Sequence, residues 1–277
     1  MKKIAIAFIG GGNMARSLIG GLIAGGHEPD RIWVAEPDAG QREFLRGRYG
    51  AHTDSDNLEV ATQAEIIVLA VKPQVLQTVA EQLAPEIQSR QPLVISIAAG
   101  VREPDLRRWL GGGPVALVRT MPNTPALVGS AASALFANPF VSAQRRQLAE
   151  SLLRAVGVTV WVEDENLLDA VTALSGSGPA YFFLVMEALE RVALDLGLNA
   201  DQARLLTLQT AFGAAKMALE SAESPATLRV RVTSPGGTTE RALAILRDGG
   251  IEKLLAQALE AARQRAQELG DLLGGQP

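Results

Sequence analysis

The chain has 277 residues, 47% of them hydrophobic, and Lys+Arg 26 against Asp+Glu 30 leave a net charge of -4. That length suits one or two domains with a sizeable core, and the near-balance of charge gives no basic footprint for nucleic acid or an anionic membrane. There is no cysteine, and only His27 and His52 supply imidazole, which removes disulfides, thiolate catalysis and most structural zinc sites; no metal site is expected, and the composition agrees with a cytoplasmic protein.

The start, Met1-Lys2-Lys3 before residues 4–9, faintly resembles a secretory signal. Its apolar stretch is too short for one, and glycines follow directly. Residues 4–9 are instead read as a first strand. A helix is expected over 14–24, ending at Gly25-Gly26, then a strand over 32–35, a helix over 41–48 and a strand over 66–71. Pro73 stops that strand, and 75–87 reads as a helix. Strands over 93–97 and 115–118 continue the series. Residues 120–144 carry no charge, but Pro122, Asn123, Pro125, Asn138 and Pro139 interrupt them. A membrane span needs about 20 predominantly apolar residues, so buried strand and loop are expected here. A helix over 142–156 and a strand over 158–162 complete the alternation. Strands apolar on both faces point to a parallel sheet covered by helices.

Beyond Glu163 the pattern is helical only. Pro179 opens a long helix that Gly197 closes. Asn199 with Gln202 reads as a capping box for a helix to about residue 219. Helices over 239–247 and 251–269 follow. The fold class is therefore α/β: a Rossmann-type parallel-sheet domain, residues 1–163, followed by an all-helical domain, residues 164–277. The helix after Pro179 begins apolar nearly all round, Tyr181-Phe182-Phe183-Leu184-Val185-Met186. So small a domain offers it limited cover, which favours burial against a second subunit over burial against the chain's own first domain.

Gly10-Gly11-Gly12-Asn13-Met14-Ala15 matches G-x-G-x-x-A between a strand and a helix. Gly10 permits the tight turn, Gly12 lets backbone approach a pyrophosphate, and Ala15 lets helix and strand pack closely. The helix start then offers free N–H groups to the anion. Glu36 follows the second strand, where a carboxylate can accept from both adenosine ribose hydroxyls; a solvated loop charge is the plainer alternative. Arg42 and Arg46 lie downstream, with nothing in the sequence to aim them.

Ser234-Pro235-Gly236-Gly237-Thr238-Thr239 sets a second glycine turn before a helix. It reads equally as an anion site sized for one carboxylate or as a capped helix with a glycine hinge, with Glu240 suiting the dipole. Ser175-Gly176-Ser177-Gly178-Pro179 lacks the first glycine of a G-x-S-x-G elbow and is read as capping and close packing.

Over essentially its whole length the chain resembles the pyrroline-5-carboxylate reductase family. The residues that carry this are Phe8 to Ala15, Ala70-Val71-Lys72-Pro73, Ser96-Ile97-Ala98-Ala99-Gly100-Val101, Arg119-Thr120-Met121-Pro122-Asn123-Thr124-Pro125, Asp169 to Tyr181, and Val232 to Thr239. The resemblance implies reduction of 1-pyrroline-5-carboxylate to L-proline by NADPH or NADH, and a homodimer through the helical domain or a larger ring of dimers. By position it implies that Ile9, Gly10, Gly11, Gly12, Asn13 and Met14 hold the pyrophosphate. Asn57 would contact the adenosine side, and Ala70, Val71, Lys72, Pro73, Ala98 and Ala99 would line the nicotinamide side. The substrate carboxylate would sit on Ser234, Gly236, Gly237, Thr238 and Thr239, with Glu165 as a substrate-side polar group. Many NADPH-using members carry a small hydroxyl residue where this chain has Glu36, which leaves NADH open.

A protonated imine is already electrophilic, so no strong protein acid is demanded. Ser234 with the N–H groups of Gly237 and Thr238 is expected to clamp the carboxylate, and the Thr239 hydroxyl to bond the ring nitrogen. The sequence admits two other readings. A β-hydroxyacid dehydrogenase would use Lys216 as its acid, though that lysine reads more plainly as a solvated head over an apolar face. A dinucleotide sensor without catalysis would need no second glycine turn.

Overall fold

The computed structural model describes residues 3–275; Met1 and Lys2, where the signal-like stretch begins, and Gln276 and Pro277 lie outside them. The described residues fall into two compact units, residues 3–177 with 261–275, and residues 178–260. The change from alternating to helical pattern at residue 163 therefore precedes the division by contacts. Two short helical segments after it stay with the first unit, and the last helix returns to it.

The first unit is a sheet of eight strands: β1 (Ile6–Ile9), β2 (Ile32–Ala35), β3 (His52–Asp54), β4 (Ile66–Leu69), β5 (Leu93–Ser96), β6 (Leu117–Met121), β7 (Ala131–Ala137) and β8 (Gly157–Trp161). Their spatial order is β3-β2-β1-β4-β5-β6-β7-β8. All neighbours are parallel except β6 and β7, which pair antiparallel with Thr120 opposite Leu135. The helices are α1 (Asn13–Ala24), α2 (Ala39–Tyr49), α3 (Asn57–Ala61), α4 (Pro73–Arg90), α5 (Glu103–Trp109), α6 (Ala143–Arg154) and α7 (Leu167–Val171).

Alternation along β1 explains why its sequence is apolar throughout. Ile6 and Phe8 enter one core with Leu18, Ile19, Leu45 and Leu152. Ala7 and Ile9 enter the other with Ile67, Leu76, Leu83 and Trp109. Successive side chains of a strand point to opposite faces, so a sheet covered on both sides needs an apolar residue at every position. Each fully buried Ile or Phe contributes roughly 1.5–3 kcal/mol by leaving water.

The caps follow local chemistry. The Asp38 side chain accepts the Gln41 N–H to start α2, and Gly50, at φ 70, ends it. Pro73 stands at the first turn of α4, where its missing N–H costs nothing. A π turn spans Thr172–Gly176, closed by the Ser177 N–H donating to the Thr172 carbonyl at 2.8 Å.

The second unit holds α8 (Gly178–Asp195), α9 (Ala200–Glu220), α10 (Pro225–Arg231), α11 (Thr238–Asp248) and the start of α12 (Ile251–Gly274). The capping box at the start of α9 is formed by Asn199 and Gln202. On the single chain Phe182, Phe183, Leu184 and Val185 of α8 are all more than half exposed. The last turns of α12 pack on the first unit. Arg102 pairs with Asp271 at 2.9 Å, and the Arg108 guanidinium donates to the Gly274 carbonyl at 2.8 Å. Among the described residues no helix is long and apolar enough to cross a membrane.

Candidate active site

The first site is built where parallel strands end beside the sheet's central strand. Gly10 leaves β1 at φ 104, a conformation that side chains resist. Its N–H donates to the Ala35 carbonyl at the end of β2 (2.8 Å). A Cβ there would lie 2.8 Å from the Ala70 carbonyl oxygen. Glycine is thus required twice, by its dihedral angle and by the close approach of the chain leaving β4. Ala70 in turn donates its N–H to the Ile9 carbonyl at 2.8 Å.

Gly12 is the N-cap of α1 and has no side chain to satisfy the helix amides. A Cβ at Gly12 would meet nothing within 4 Å, so the loop borders open space. Asn13 and Met14 open the helix, and Ala15 is buried against the sheet. Free helix-start amides, a partial positive charge and a backbone clear of side chains fit a dinucleotide diphosphate.

The other positions expected around this group lie on the same unit. Glu36 follows β2, and its carboxylate accepts the Gly11 N–H at 3.0 Å and the Asp38 N–H at 3.1 Å. Asn57 begins α3 and donates to Gln82 of α4 at 3.0 Å. Ala70 and Val71 leave β4, and Lys72 and Pro73 cap and open α4. Ala98, buried, and Ala99, exposed, follow β5, which lies next to β4. The strand order turns at β1, where a parallel α/β sheet binds its ligands.

The second site belongs to the second unit. Gly236 takes φ 70, and the Gly237 N–H donates to the Ser234 carbonyl at 3.0 Å, closing a tight turn ahead of α11. This corrects the sequence expectation for Gly237: its N–H is spent within the turn. The Glu240 carboxylate reaches back to accept the Gly236 N–H at 2.7 Å. The turn is therefore partly capped, and the amides left for an anion are those of Thr238 and Thr239. No side chain caps α11, and Ser234, Thr238 and Thr239 are exposed.

Glu165 also departs from expectation. It is ion-paired to Arg119 of β6 and accepts the Glu103 N–H at 2.6 Å. The Arg119 side chain is only 9% exposed and that of Glu165 18%. On the single chain its carboxylate is already engaged as a counter-ion, an engagement that a substrate would have to share. The network continues through Glu103, which accepts from Arg107 at 3.0 Å and from Asn138 at 2.8 Å. Burial pushes the Asp169 carboxyl above its usual range, against the pull of Arg102 and Arg119. The sequence did carry a signal for this cluster, an arginine directly after the apolar run 115–118.

The Ser175 motif is structural in this arrangement. The Asn123 amide donates to the Ser175 carbonyl at 3.1 Å and to its hydroxyl at 3.2 Å, and the Ser175 hydroxyl donates to the Ala132 carbonyl. Lys216 lies 3.7 Å from Glu220 one turn on and is more than half exposed, the solvated arrangement. Sequence reading passed over Glu223, whose one oxygen pairs with Arg231 at 2.5 Å while the other is buried without a partner.

Residues 165–269 match the model for pyrroline-5-carboxylate reductase dimerisation, and residues 5–100 match that for NADP oxidoreductase, coenzyme F420-dependent. A pyrroline-5-carboxylate reductase of Pseudomonas aeruginosa is 51% identical over 274 residues, 99% of this chain and 100% of its own. The solved pyrroline-5-carboxylate reductase from Coxiella burnetii superposes with a TM-score of 0.94 at 48% identity, covering 97% of this chain and 99% of its own. The Plasmodium falciparum pyrroline carboxylate reductase, solved with NADP bound, gives 0.86 at 28% identity, covering 98% and 100%. The chain belongs to the pyrroline-5-carboxylate reductase family.

Proposed function

We propose that the chain reduces 1-pyrroline-5-carboxylate to L-proline, the last step of proline synthesis, as a homodimer held through its second unit. The observation that supports this most directly is the pair of backbone-lined turns, Gly10–Gly12 and residues 234–239, in one chain similar over its full length to reductases of that name. NADPH or NADH, when bound, supplies the hydride that the imine carbon receives.

The protein supplies position and electrostatics. The loop from Ile9 to Met14 holds the diphosphate through the amides of Gly12, Asn13 and Met14, those of Gly10 and Gly11 being engaged by Ala35 and Glu36. Asn57 stands on the adenosine side, and Ala70 to Pro73 with Ala98 and Ala99 line the nicotinamide side. In the second turn, the Ser234 and Thr238 hydroxyls and the Thr238 and Thr239 N–H groups receive the substrate carboxylate. The Thr239 hydroxyl bonds the ring nitrogen and holds it while C=N becomes CH–NH. No buried general acid is required, because the protonated imine arrives with its proton.

Exposed Phe182, Phe183 and Leu184 support the homodimer, since patches of that size mark association surfaces. A cytoplasmic location accords with a chain without cysteine. The test is turnover: pyrroline-5-carboxylate added to protein and reduced nicotinamide cofactor should bleach the cofactor's absorbance steadily. Binding without bleaching would make the chain a sensor. Mass photometry distinguishes a dimer from a ring of dimers.

A further inference from the structure

Both carboxylate oxygens of Glu36 are fixed by the backbone on either side of them. The Gly11 N–H donates to Oε2 at 3.0 Å and the Asp38 N–H to Oε1 at 3.1 Å. A carboxylate has about four acceptor positions, so each oxygen keeps capacity for a further donor. The residue stands directly after β2, where this kind of sheet reads the adenosine ribose. Two open acceptors match the two hydroxyl donors of an unphosphorylated ribose. To a 2′-phosphate they offer no donor, and such a group brings about -1.5 to -2 charge of its own.

The surroundings add to this. Asp54 ends β3 and Asp38 and Asp56 cap α2 and α3, and the Glu36 N–H donates to the Asp54 carbonyl at 2.9 Å. The nearby cations are already engaged. Arg42 Nη1 donates at 2.7 Å to the carbonyls of both Glu36 and Pro37. Arg46 pairs with Glu43 at 2.6 Å and also donates to Thr53. Arg16 donates to the Gly11 carbonyl and lies over the Phe44 ring. A phosphate would meet an anchored carboxylate before it met a free guanidinium.

We propose that Glu36 makes this chain prefer NADH to NADPH. The proposal rests on reading the Gly10–Gly12 turn as the dinucleotide cradle. It adds the residue that sets which dinucleotide is chosen.

The experiment is equilibrium titration of the full-length protein with NADH and with NADPH in the absence of substrate, followed by nicotinamide fluorescence. NADH is expected to bind at least about 10-fold more tightly, a difference of about 1.4 kcal/mol. Glu36→Ser should abolish that preference and strengthen NADPH binding about 10-fold, because the carboxylate that repels the 2′-phosphate is removed. Glu36→Gln, which keeps the shape and loses the charge, should fall between. Melting temperatures of both variants, measured alongside, report whether the loop still folds. Equal or tighter binding of NADPH by the unaltered protein would overturn the proposal and leave the reductase reading standing. An unchanged ratio in folded Glu36→Ser would remove Glu36 as its cause. Failure of both dinucleotides to bind would overturn the reductase reading and the proposal together.

Discussion

Arg119 and Glu165 lie 46 residues apart in sequence and form an ion pair in the interior of the first unit, tying β6 to the start of the helical region. Removing the carboxylate would strand a guanidinium that is 9% exposed. Breaking a buried pair from one side costs about 3–5 kcal/mol. Glu165→Ala is therefore expected to lose about 3 kcal/mol in urea denaturation, at the low end because Glu165 keeps some solvent. The KM for the imine should stay within about two-fold of the original. A raised KM at unchanged stability would restore Glu165 to the substrate.

Gly10 and Gly12 should fail differently. Gly10→Ala sets a Cβ against the Ala70 carbonyl at a φ that alanine resists, so the fold itself should weaken, by about 1–3 kcal/mol. Gly12 has ordinary dihedrals and open space beside it. Gly12→Ala should leave stability within about 0.5 kcal/mol. It should weaken dinucleotide binding at least about 10-fold, because the new methyl fills the cradle. Equal loss of stability in both would show that the space beside Gly12 is not a binding surface.

Thr239 is exposed at the start of α11 and makes no packing contribution that alanine would lose. Thr239→Ala should lower kcat/KM by roughly 10–100-fold, with unchanged dinucleotide affinity and melting temperature. Unchanged kcat/KM would take Thr239 out of the mechanism.

His27 is 4% exposed, and burial holds its imidazole below the usual pKa of 6.5. The unfolded chain thus takes up this proton at a higher pH than the folded one. The stability contributed by the neutral ring is present above pH 6.5 and is lost as pH falls toward the lowered folded value. Melting temperature should drop across that interval, and His27→Leu should flatten the drop. A variant whose curve runs parallel to the original would place the titrating group elsewhere.

Phe183 and Leu184 stand 65% exposed on α8. Introducing a charge with Phe183→Glu should yield monomers by size exclusion with light scattering, since desolvating an unpaired carboxylate opposes association. A dimer that survives the change would move the interface off this face.

The sequence made the strands of the doubly covered sheet legible because each must be apolar at every position; β2 is the clearest case, with both ends as expected. Caps were equally readable, as at Asn199 and Gln202, because both partners lie within one turn. Short polar elements were not. β3, His52-Thr53-Asp54, is an edge strand with no apolar residue to mark it, and α5 begins at Glu103-Pro104 after a glycine loop. The strand expected over 115–118 ends at Met121, because its last residues pair with β7, which small residues concealed. In the site, the Gly10 turn was visible from spacing alone. The engagements of Glu165 and of the Gly237 amide were not, since one depends on a partner far along the chain and the other on how a turn closes.

The path of α12 has a consequence for biogenesis. Its end joins the first unit through Arg102–Asp271 and Arg108–Gly274, within four residues of the last residue described. The first unit is thus closed by a segment 166 residues downstream of the helix it clasps. Its sheet can condense before α12 exists, but the docking of α5 against that helix must wait until the intervening helices have been made, so losing the last turns of α12 should be felt first by the part of the chain that was synthesised first.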